Sequence, residues 1–254
     1  MTETQWSDHD KTIHDGKING RWDLKLLGHR VSFHRERPGW EAERLATCFE
    51  MMAPGMTIYD LGAEVGDFTA LYGMWVGPTG TVVPVEPSPQ SWPSIKTHWY
   101  ANGLPPIKAF FPGFVSDVTD LSPMEHIRDP RIVDRSGWPE CASNQIRPEF
   151  GFRHLAQQTA DTPQITLDDL VARTGLIPDA IVMDIEGAEF SALKGCRQVL
   201  ERDRPIMWVS VHPQTMRDWY EAELDDILHL MDDVEYDAEL LGEDSEMYWL
   251  FTSR

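Results

Sequence analysis

The sequence predicts an α/β fold in which a mostly parallel β-sheet is flanked by helices and ends in an antiparallel strand. The first observation is the segment Thr57–Thr69, where a short apolar strand meets a turn with two glycines and then the start of a helix. The second is the regular alternation of strand-like and helix-like segments after it. The third is a pair of strand-like segments near the end of the chain, joined by Gly242–Ser245, which predicts an antiparallel hairpin.

Composition places the chain among globular proteins with one main core. It has 254 residues, 41% of them hydrophobic, and no long Gly/Ser-rich or Pro-rich linker. Its 42 acidic and 22 basic residues give a net charge of −20, which disfavours nucleic acid as a partner because such binding needs Lys and Arg to neutralise phosphates. The three cysteines lie far apart, and no signal peptide or run of about 18 apolar residues is present. We therefore expect a cytoplasmic protein with no membrane span.

The residues before the first sheet strand form an N-terminal unit, residues 1–54. Residues 1–20 are polar and are predicted to be a mobile arm. Residues 21–33 alternate on both sides of Gly28-His29, which predicts a hairpin. Residues 39–52 carry helix formers and end before Pro54-Gly55, which predicts a helix.

The main domain, residues 55–254, alternates strands and helices. Strands are predicted at 57–61, 80–85, 107–116, 180–184, 205–211, 234–241 and 246–252. Helices are predicted at 67–75, 88–102, 166–173, 188–200 and 215–231, with Thr166 as the N-cap of the third. The segment 118–160 is too long for a routine connection, so we expect an inserted lid or acceptor-binding element; a dimer-forming insertion is the alternative.

The turn after the first sheet strand indicates a nucleotide or nucleoside site. Gly62 and Gly66 allow a turn that brings backbone N–H groups close to a ligand. Glu86 follows the next strand, 26 residues after Asp60, where an acid accepts hydrogen bonds from the two hydroxyls of a ribose. Ser116 and Asp117 could contact an adenine edge, with Phe68 or Trp92 as an apolar bed; packing in the core is the alternative for both aromatics.

Several motifs together resemble the FkbM-type methyltransferases over roughly residues 55–212. These motifs are Asp60–Thr69, Val85–Ser88, Phe114–Asp117, Ile165–Leu170, Val182–Glu189, Leu193–Gly195 and Arg204–Ile206, in that order. The resemblance implies a class I methyltransferase fold, Rossmann-like, with a seven-stranded sheet. It also implies S-adenosylmethionine as cofactor and methyl transfer to hydroxyls of sugars or natural products.

The resemblance and the motifs together predict the cofactor site. Its predicted members are Asp60, Gly62, Ala63, Glu64, Gly66, Phe68, Thr69, Glu86, Pro87, Ser88, Ser116, Asp117 and Asp184. Three positions depart from the family pattern, because this chain has Glu64 in place of Asn, Met183 in place of a frequent Lys, and Ser210 in place of a frequent Glu. These departures leave the substrate and the catalytic base open.

The catalytic candidates follow two buried strands, at the edge of the sheet where open α/β folds bind ligands. His212 is the predicted general base, with loop anchoring as the alternative. Asp184 and Glu186 are predicted to orient the acceptor hydroxyl, contact the methionine ammonium or hold a divalent cation; Asp184 could instead accept bonds within its turn. Glu189 is predicted to begin the next helix in a structural role.

Two other classes of function compete with an O-methyltransferase. An NAD-linked oxidoreductase or epimerase also needs a glycine-rich turn, but Glu64 stands where its second glycine should admit a pyrophosphate. A non-catalytic binding protein that keeps the methyltransferase fold is the third class. The expected partner is a small-molecule or glycan acceptor, and a homodimer is an open alternative to a monomer.

Overall fold

The computed structural model describes residues 12–123 and 162–254, together with 127–128, 138 and 140–141. Its main sheet has six strands: β3 (Thr57–Leu61), β4 (Thr81–Val85), β9 (Ala180–Asp184), β10 (Ile206–Val211), β11 (Tyr236–Glu243) and β12 (Met247–Ser253). Their order is β11-β12-β10-β9-β3-β4, and β12 alone in this sheet runs antiparallel to its neighbours. The predicted α/β class and the terminal antiparallel hairpin are confirmed.

The N-terminal unit differs from its prediction. The described part of the predicted arm contains the strand β1 (Ile13–Ile18), which pairs with β2 (Trp22–Leu27). The segment predicted as the second hairpin strand belongs instead to the helix α1 (Gly28–Glu36). The turn of this hairpin contains Asn19 and Gly20 at φ of 50° and 64°, a conformation that these two residue types tolerate. The prediction was wrong because the Asn-Gly pair, a stronger hairpin signal than Gly28-His29, was overlooked.

Helices cover both faces of the sheet. The first group is α2 (Ala42–Met51), α3 (Asp67–Val76) and α4 (Trp92–Ala101); the second is α5 (Leu167–Thr174), α6 (Glu189–Lys194), α7 (Arg197–Arg202), α8 (Pro213–Tyr220) and α9 (Leu224–Asp233). Each of the two long helices predicted at 188–200 and 215–231 is therefore a pair of short ones. The predicted cap is confirmed, since the Thr166 hydroxyl accepts the Asp169 N–H at 3.1 Å.

The predicted strand at 107–116 is not continuous, which is why the sheet has one strand fewer than expected. Val85 and Phe111 form only an isolated parallel bridge, while β5 (Phe114–Val115) pairs with β8 (Gln164–Ile165). The Glu86 carbonyl accepts the indole N–H of Trp92 at 2.8 Å. A side chain therefore occupies this carbonyl at the point where a longer strand would continue its hydrogen bonds with β4. A further two-residue pair, β6 (Ile127–Arg128) with β7 (Glu140–Cys141), lies in the insertion.

Alternate residues of the buried strands pack on opposite faces. Ile58, Val182 and Trp208 face a core shared with β1, β2, α2, α3 and α4. Tyr59, Ile181 and Val209 face the core under α5–α9. Burial of a large apolar side chain contributes about 1.5–3 kcal/mol, so both layers stabilise the central strands and hold their ends in place.

A buried ion-pair group joins the N-terminal unit to the main domain. Asp67, at the start of α3, lies 2.6 Å from Nε of Arg30 and 2.8 Å from Nε2 of His34, both on α1. These contacts hold the pKa of Asp67 well below its ordinary value, despite the opposing effect of burial. The group fastens α1 beside the glycine turn.

Among the described residues, no helix has both the length and the apolarity needed to cross a bilayer.

Most of the predicted lid, 118–160, lies outside the described residues. The one tryptophan of this segment, Trp138, packs on Phe110 and donates its indole N–H to the Tyr100 hydroxyl at 3.1 Å.

Candidate active site

Most of the predicted site residues lie at or just after the ends of β3, β4, β9 and β10, whereas Ser116 and Asp117 follow β5. These parallel strands end at one edge of the sheet, and β12 begins there because it runs in the opposite direction. The turn after β3 contacts the end of β9 directly. A Cβ placed on Gly62 would lie 1.8 Å from the Asp184 carbonyl oxygen. The predicted cofactor turn and the acidic strand end therefore lie against each other.

Glycine is required twice in this turn. Gly62 has a φ of +91° and Gly66 a φ of +83°, and a Cβ on Gly66 would lie 2.5 Å from the Cα of Ile95 in α4. The Gly62 and Ala63 N–H groups both donate to the Val85 carbonyl, at 3.0 and 3.1 Å. Glu64 also has a positive φ of 47°, and its half-exposed carboxylate lies 3.6 Å from Arg30.

Glu86 connects the turn to the end of β4. One carboxylate oxygen accepts the Glu64 N–H at 2.9 Å and the other accepts the Ser88 N–H at 2.8 Å. The residue is only 7% exposed, and burial raises its pKa to about 8 against the effect of these two bonds. Each oxygen keeps a further lone pair, so the carboxylate can still accept hydrogen bonds from a diol. Pro87 and Ser88 are partly buried beside it.

Asp60, Thr69 and Phe68 lie beneath or beside the turn. The buried Thr69 hydroxyl donates to the buried Asp60 carboxylate, and burial raises the pKa of Asp60 to about 6. Phe68 packs on the His34 ring at 5.8 Å and below the Arg44 guanidinium at 5.5 Å. Trp92 is buried in the core, as the alternative prediction had it. Cofactor contact by Asp60, Phe68 and Thr69 stays a prediction.

Ser116 and Asp117 make contacts that the sequence reasoning did not anticipate. The Ser116 hydroxyl donates to the Val118 carbonyl at 3.0 Å. The Asp117 carboxylate accepts from the Ser191 hydroxyl at 3.0 Å and pairs with Lys194 at 2.5 Å, which lowers its pKa. A Cβ on Gly195 would lie 2.1 Å from the Ser116 carbonyl oxygen. The Lys-Gly motif therefore holds this loop in place, and adenine contact by the loop stays a prediction.

His212 lies at the centre of four carboxylates. Its Nδ1 is 2.9 Å from Glu189 Oε1. Its Nε2 faces the other three, at 3.0 Å from Glu246 Oε2, 3.5 Å from Glu186 Oε2 and 3.7 Å from Asp184 Oδ1. The structure thus brings together the predicted trio of Asp184, Glu186 and His212.

This crowding of charge changes the ionisation of the cluster. Burial alone would lower the pKa of His212, but the hydrogen bond with Glu189, the ion-pair contact with Glu246 and the charge of Asp184 outweigh it and raise that pKa to about 11. Burial, with the charge of Glu246, raises the pKa of Asp184 to about 8. Burial also raises the pKa of Glu186. At neutral pH, without another cation, the His212 imidazole is therefore protonated and has no lone pair to act as a base.

Four contributors to the cluster were missed or misjudged from the sequence. Glu246 precedes β12, and the pairing of Val211 with Met247 brings it opposite His212, so a register argument could have found it. Glu189 was expected to act only at a helix start. Glu41 and Arg44, an ion pair at the start of α2, reach the cluster through tertiary packing and carry no local sequence signal.

His98 is a further positioning residue. It is buried, its Nδ1 lies 2.8 Å from the Val65 carbonyl, and its Nε2 accepts the Leu27 N–H at 3.0 Å. Burial lowers its pKa, so the neutral ring can make both bonds, with Nδ1 as donor. It therefore joins the glycine turn to the N-terminal hairpin.

Comparisons with known proteins agree with this arrangement. A family model described as "Methyltransferase FkbM domain" matches residues 60–238. Among curated proteins, none matches the chain. A structure of M. jannaschii TYW2 in complex with AdoMet is similar at a TM-score of 0.50 and 13% identity, covering 99% of this chain and 90% of that protein.

A structure of methyltransferase FkbM from Methylobacillus flagellatus KT has a TM-score of 0.47 and 18% identity. That match covers 78% of this chain but only 43% of the Methylobacillus protein, so the chain spans less than half the length of that relative. The family match and the likeness to the TYW2 structure together establish the fold, which is that of the class I S-adenosylmethionine-dependent methyltransferases.

Proposed function

Because the chain belongs to the FkbM family of S-adenosylmethionine-dependent methyltransferases, we propose that it methylates a hydroxyl group of a sugar or a natural-product-like small molecule. The observation that carries this proposal is the contact between Gly62 and Asp184, which places the cofactor turn against a cluster rich in hydrogen-bond acceptors. An acceptor hydroxyl is a hydrogen-bond donor, so such a cluster suits it.

The residues around the turn fit the cofactor. S-adenosylmethionine supplies an electrophilic methyl group on a sulfonium. We assign the glycine turn to its amino-acid end and Glu86 to its ribose hydroxyls, as the free lone pairs of the buried carboxylate allow. Cofactor contact by the other predicted residues remains part of this proposal.

The cluster supplies the proton acceptor. His212 was the first candidate, but its imidazole is protonated at neutral pH, and burial raises the pKa of Asp184 to about 8, so that carboxyl is mostly neutral as well. We therefore assign the acceptance of the hydroxyl proton to Glu186, the more exposed of the two acids. As the O–H bond breaks, the proton passes to the carboxylate and the oxygen forms its bond to the methyl carbon while the bond from that carbon to sulfur breaks. His212 then holds the carboxylates in place, a positioning role.

The experiment combines binding with turnover. Titration with S-adenosylhomocysteine and, separately, with NAD tests the cofactor, and we expect saturable binding of the first alone. Turnover is then followed by transfer of a labelled methyl group to a panel of sugars and polyketide-like alcohols, with the corresponding methyl ethers or deoxy compounds as controls. Binding of NAD alone would contradict the proposal, and methylation of amines or carbon atoms without methylation of hydroxyls would contradict its acceptor class. A cytoplasmic location and a homodimer stay predictions.

A further inference from the structure

The cluster around His212 contains more negative than positive groups. Five carboxylates, those of Glu41, Asp184, Glu186, Glu189 and Glu246, share the cations Arg44 and His212. Glu41, Glu189 and Glu246 are at most 6% exposed. Burying like charges at this density is costly unless protons or a further cation neutralise them.

The orientation of His212 directs one nitrogen at these oxygens. Glu189 Oε1 accepts from Nδ1 at 2.9 Å and also from the Gly187 N–H at 2.9 Å, so its own position is fixed. Nε2 is left facing Asp184, Glu186 and Glu246. A buried carboxylate that binds one imidazole nitrogen and leaves the other free is the arrangement found behind histidine ligands of metal ions.

A second observation is an unpartnered oxygen. Glu246 Oε1 accepts the Tyr248 hydroxyl at 3.1 Å, whereas Glu246 Oε2 is buried and accepts no hydrogen bond, although it lies 3.0 Å from Nε2. The same residue has a carboxylate oxygen within 4.8 Å of oxygens of Asp184 and Glu41. Nε2 of His212 and oxygens of Asp184 and Glu186 likewise lie within 4.8 Å of one another. The buried oxygen therefore lies among side-chain atoms that are close enough together to share one cation.

We propose that this cluster binds one divalent cation of the Mn²⁺ class through Asp184, Glu186 and Nε2 of His212, with Glu246 beside it and Glu189 as the residue that positions the imidazole. Carboxylate oxygens suit Mg²⁺ and Mn²⁺, whereas an imidazole ligand favours the transition ions, so the mixed set selects Mn²⁺. The binding of the cation stands on the cluster alone. Its part in methyl transfer, which is to bind the acceptor oxygen, rests on the proposed function.

The test measures Mn²⁺ directly on the full chain after treatment with a chelator. Electron paramagnetic resonance counts free Mn²⁺ during a titration, at one pH, with and without S-adenosylhomocysteine. We expect one site in the wild type. Glu189→Gln should weaken Mn²⁺ binding by about 10–100-fold, the range typical of residues that position a metal ligand. Asp184→Asn removes a ligand itself and should weaken Mn²⁺ binding by more than that. The exposed Glu243→Gln, three residues before Glu246, removes the same charge and should leave affinity unchanged.

The variants remain interpretable if one of them misfolds. Removing a carboxylate from a crowded acidic cluster should not lower the melting temperature of the metal-free protein. Glu186→Gln, at another proposed ligand, provides a second variant with the same expected loss of Mn²⁺ binding. No Mn²⁺ binding in folded wild type, or equal binding in wild type and Asp184→Asn, would overturn the site. S-adenosylhomocysteine binding without Mn²⁺ binding would refute the metal site alone. Mn²⁺ binding without S-adenosylhomocysteine binding would refute the proposed function alone.

Discussion

Removal of the Glu86 carboxylate tests how the cofactor is held. In Glu86→Ala the two ribose hydroxyls lose a buried charged acceptor, and a hydrogen bond to a charged group contributes about 1.5–3 kcal/mol. The dissociation constant for S-adenosylhomocysteine should therefore rise about 10–150-fold. The exposed Glu239→Ala on β11 controls for the loss of charge and should bind as the wild type does.

A second ligand separates ribose binding from damage to the turn. Glu86 also accepts the Glu64 and Ser88 N–H groups, so its removal leaves both donors without this acceptor and loosens the turn. Calorimetry should compare S-adenosylhomocysteine with its 2′,3′-dideoxy analogue, on wild type and variant, as a double cycle. If Glu86 binds the diol, most of the loss should vanish with the dideoxy ligand. An equal loss of affinity for both ligands would refute the assignment to the ribose and would mean that Glu86 only holds the turn in place.

The ionisation of Glu86 adds a pH signature to the same measurement. Burial raises its pKa to about 8, so most of the ligand-free protein carries a neutral carboxyl at pH 7. The charged form is the better acceptor of two hydroxyl hydrogen bonds. Wild-type affinity should therefore increase as pH rises from 7 to 9, and Glu86→Ala should lack that increase.

Three further predictions follow from the packing and charges of the site. Gly62→Ala should abolish measurable cofactor binding, because a Cβ would lie 1.8 Å from the Asp184 carbonyl at a φ of +91°; a structure with an unshifted turn would contradict this. Asp67→Asn should lower the free energy of unfolding by about 3–5 kcal/mol at pH 7, since it leaves Arg30 buried without its partner. Folding lowers the pKa of Asp67, so the stability that its carboxylate contributes is present above its unfolded pKa and is lost as pH falls through its folded pKa. Urea titrations at pH 7 and pH 2–3 should therefore show a smaller difference in the free energy of unfolding between wild type and variant in acid. His212→Ala should reduce kcat by about 10²–10⁴-fold with S-adenosylhomocysteine affinity preserved, whichever role the imidazole has; turnover within a few-fold of wild type would remove His212 from the mechanism.

The fold class could be read from local patterns, because each pattern lies within one short segment. The pattern at Asp60–Thr69 consists only of a strand end, two glycines and a helix start, and the structure has β3, the turn and α3 there. The caps and buried strands depend in the same way on neighbouring residues, so Thr166 and the strand at 180–184 were predicted closely. The hairpin at Asn19-Gly20 also had a local signal, which the alternation around Gly28 obscured.

The site could be predicted only where its residues follow parallel strands. Asp184 ends β9, Glu186 follows it and His212 follows β10. The pairing of β9 with β10 brings the three residues to one edge, and their meeting was expected. Glu246 precedes an antiparallel strand and Glu41 lies in the N-terminal unit, so their contribution depends on the packing of segments 34 and 171 residues away from His212. The charge state of His212 depends in turn on those acids, because a pKa responds to every charge within a few ångströms and not to the residue type. Residue types and spacing therefore identify the cofactor turn and the acidic strand ends, whereas the ionisation of the cluster follows from the folding of distant segments around it.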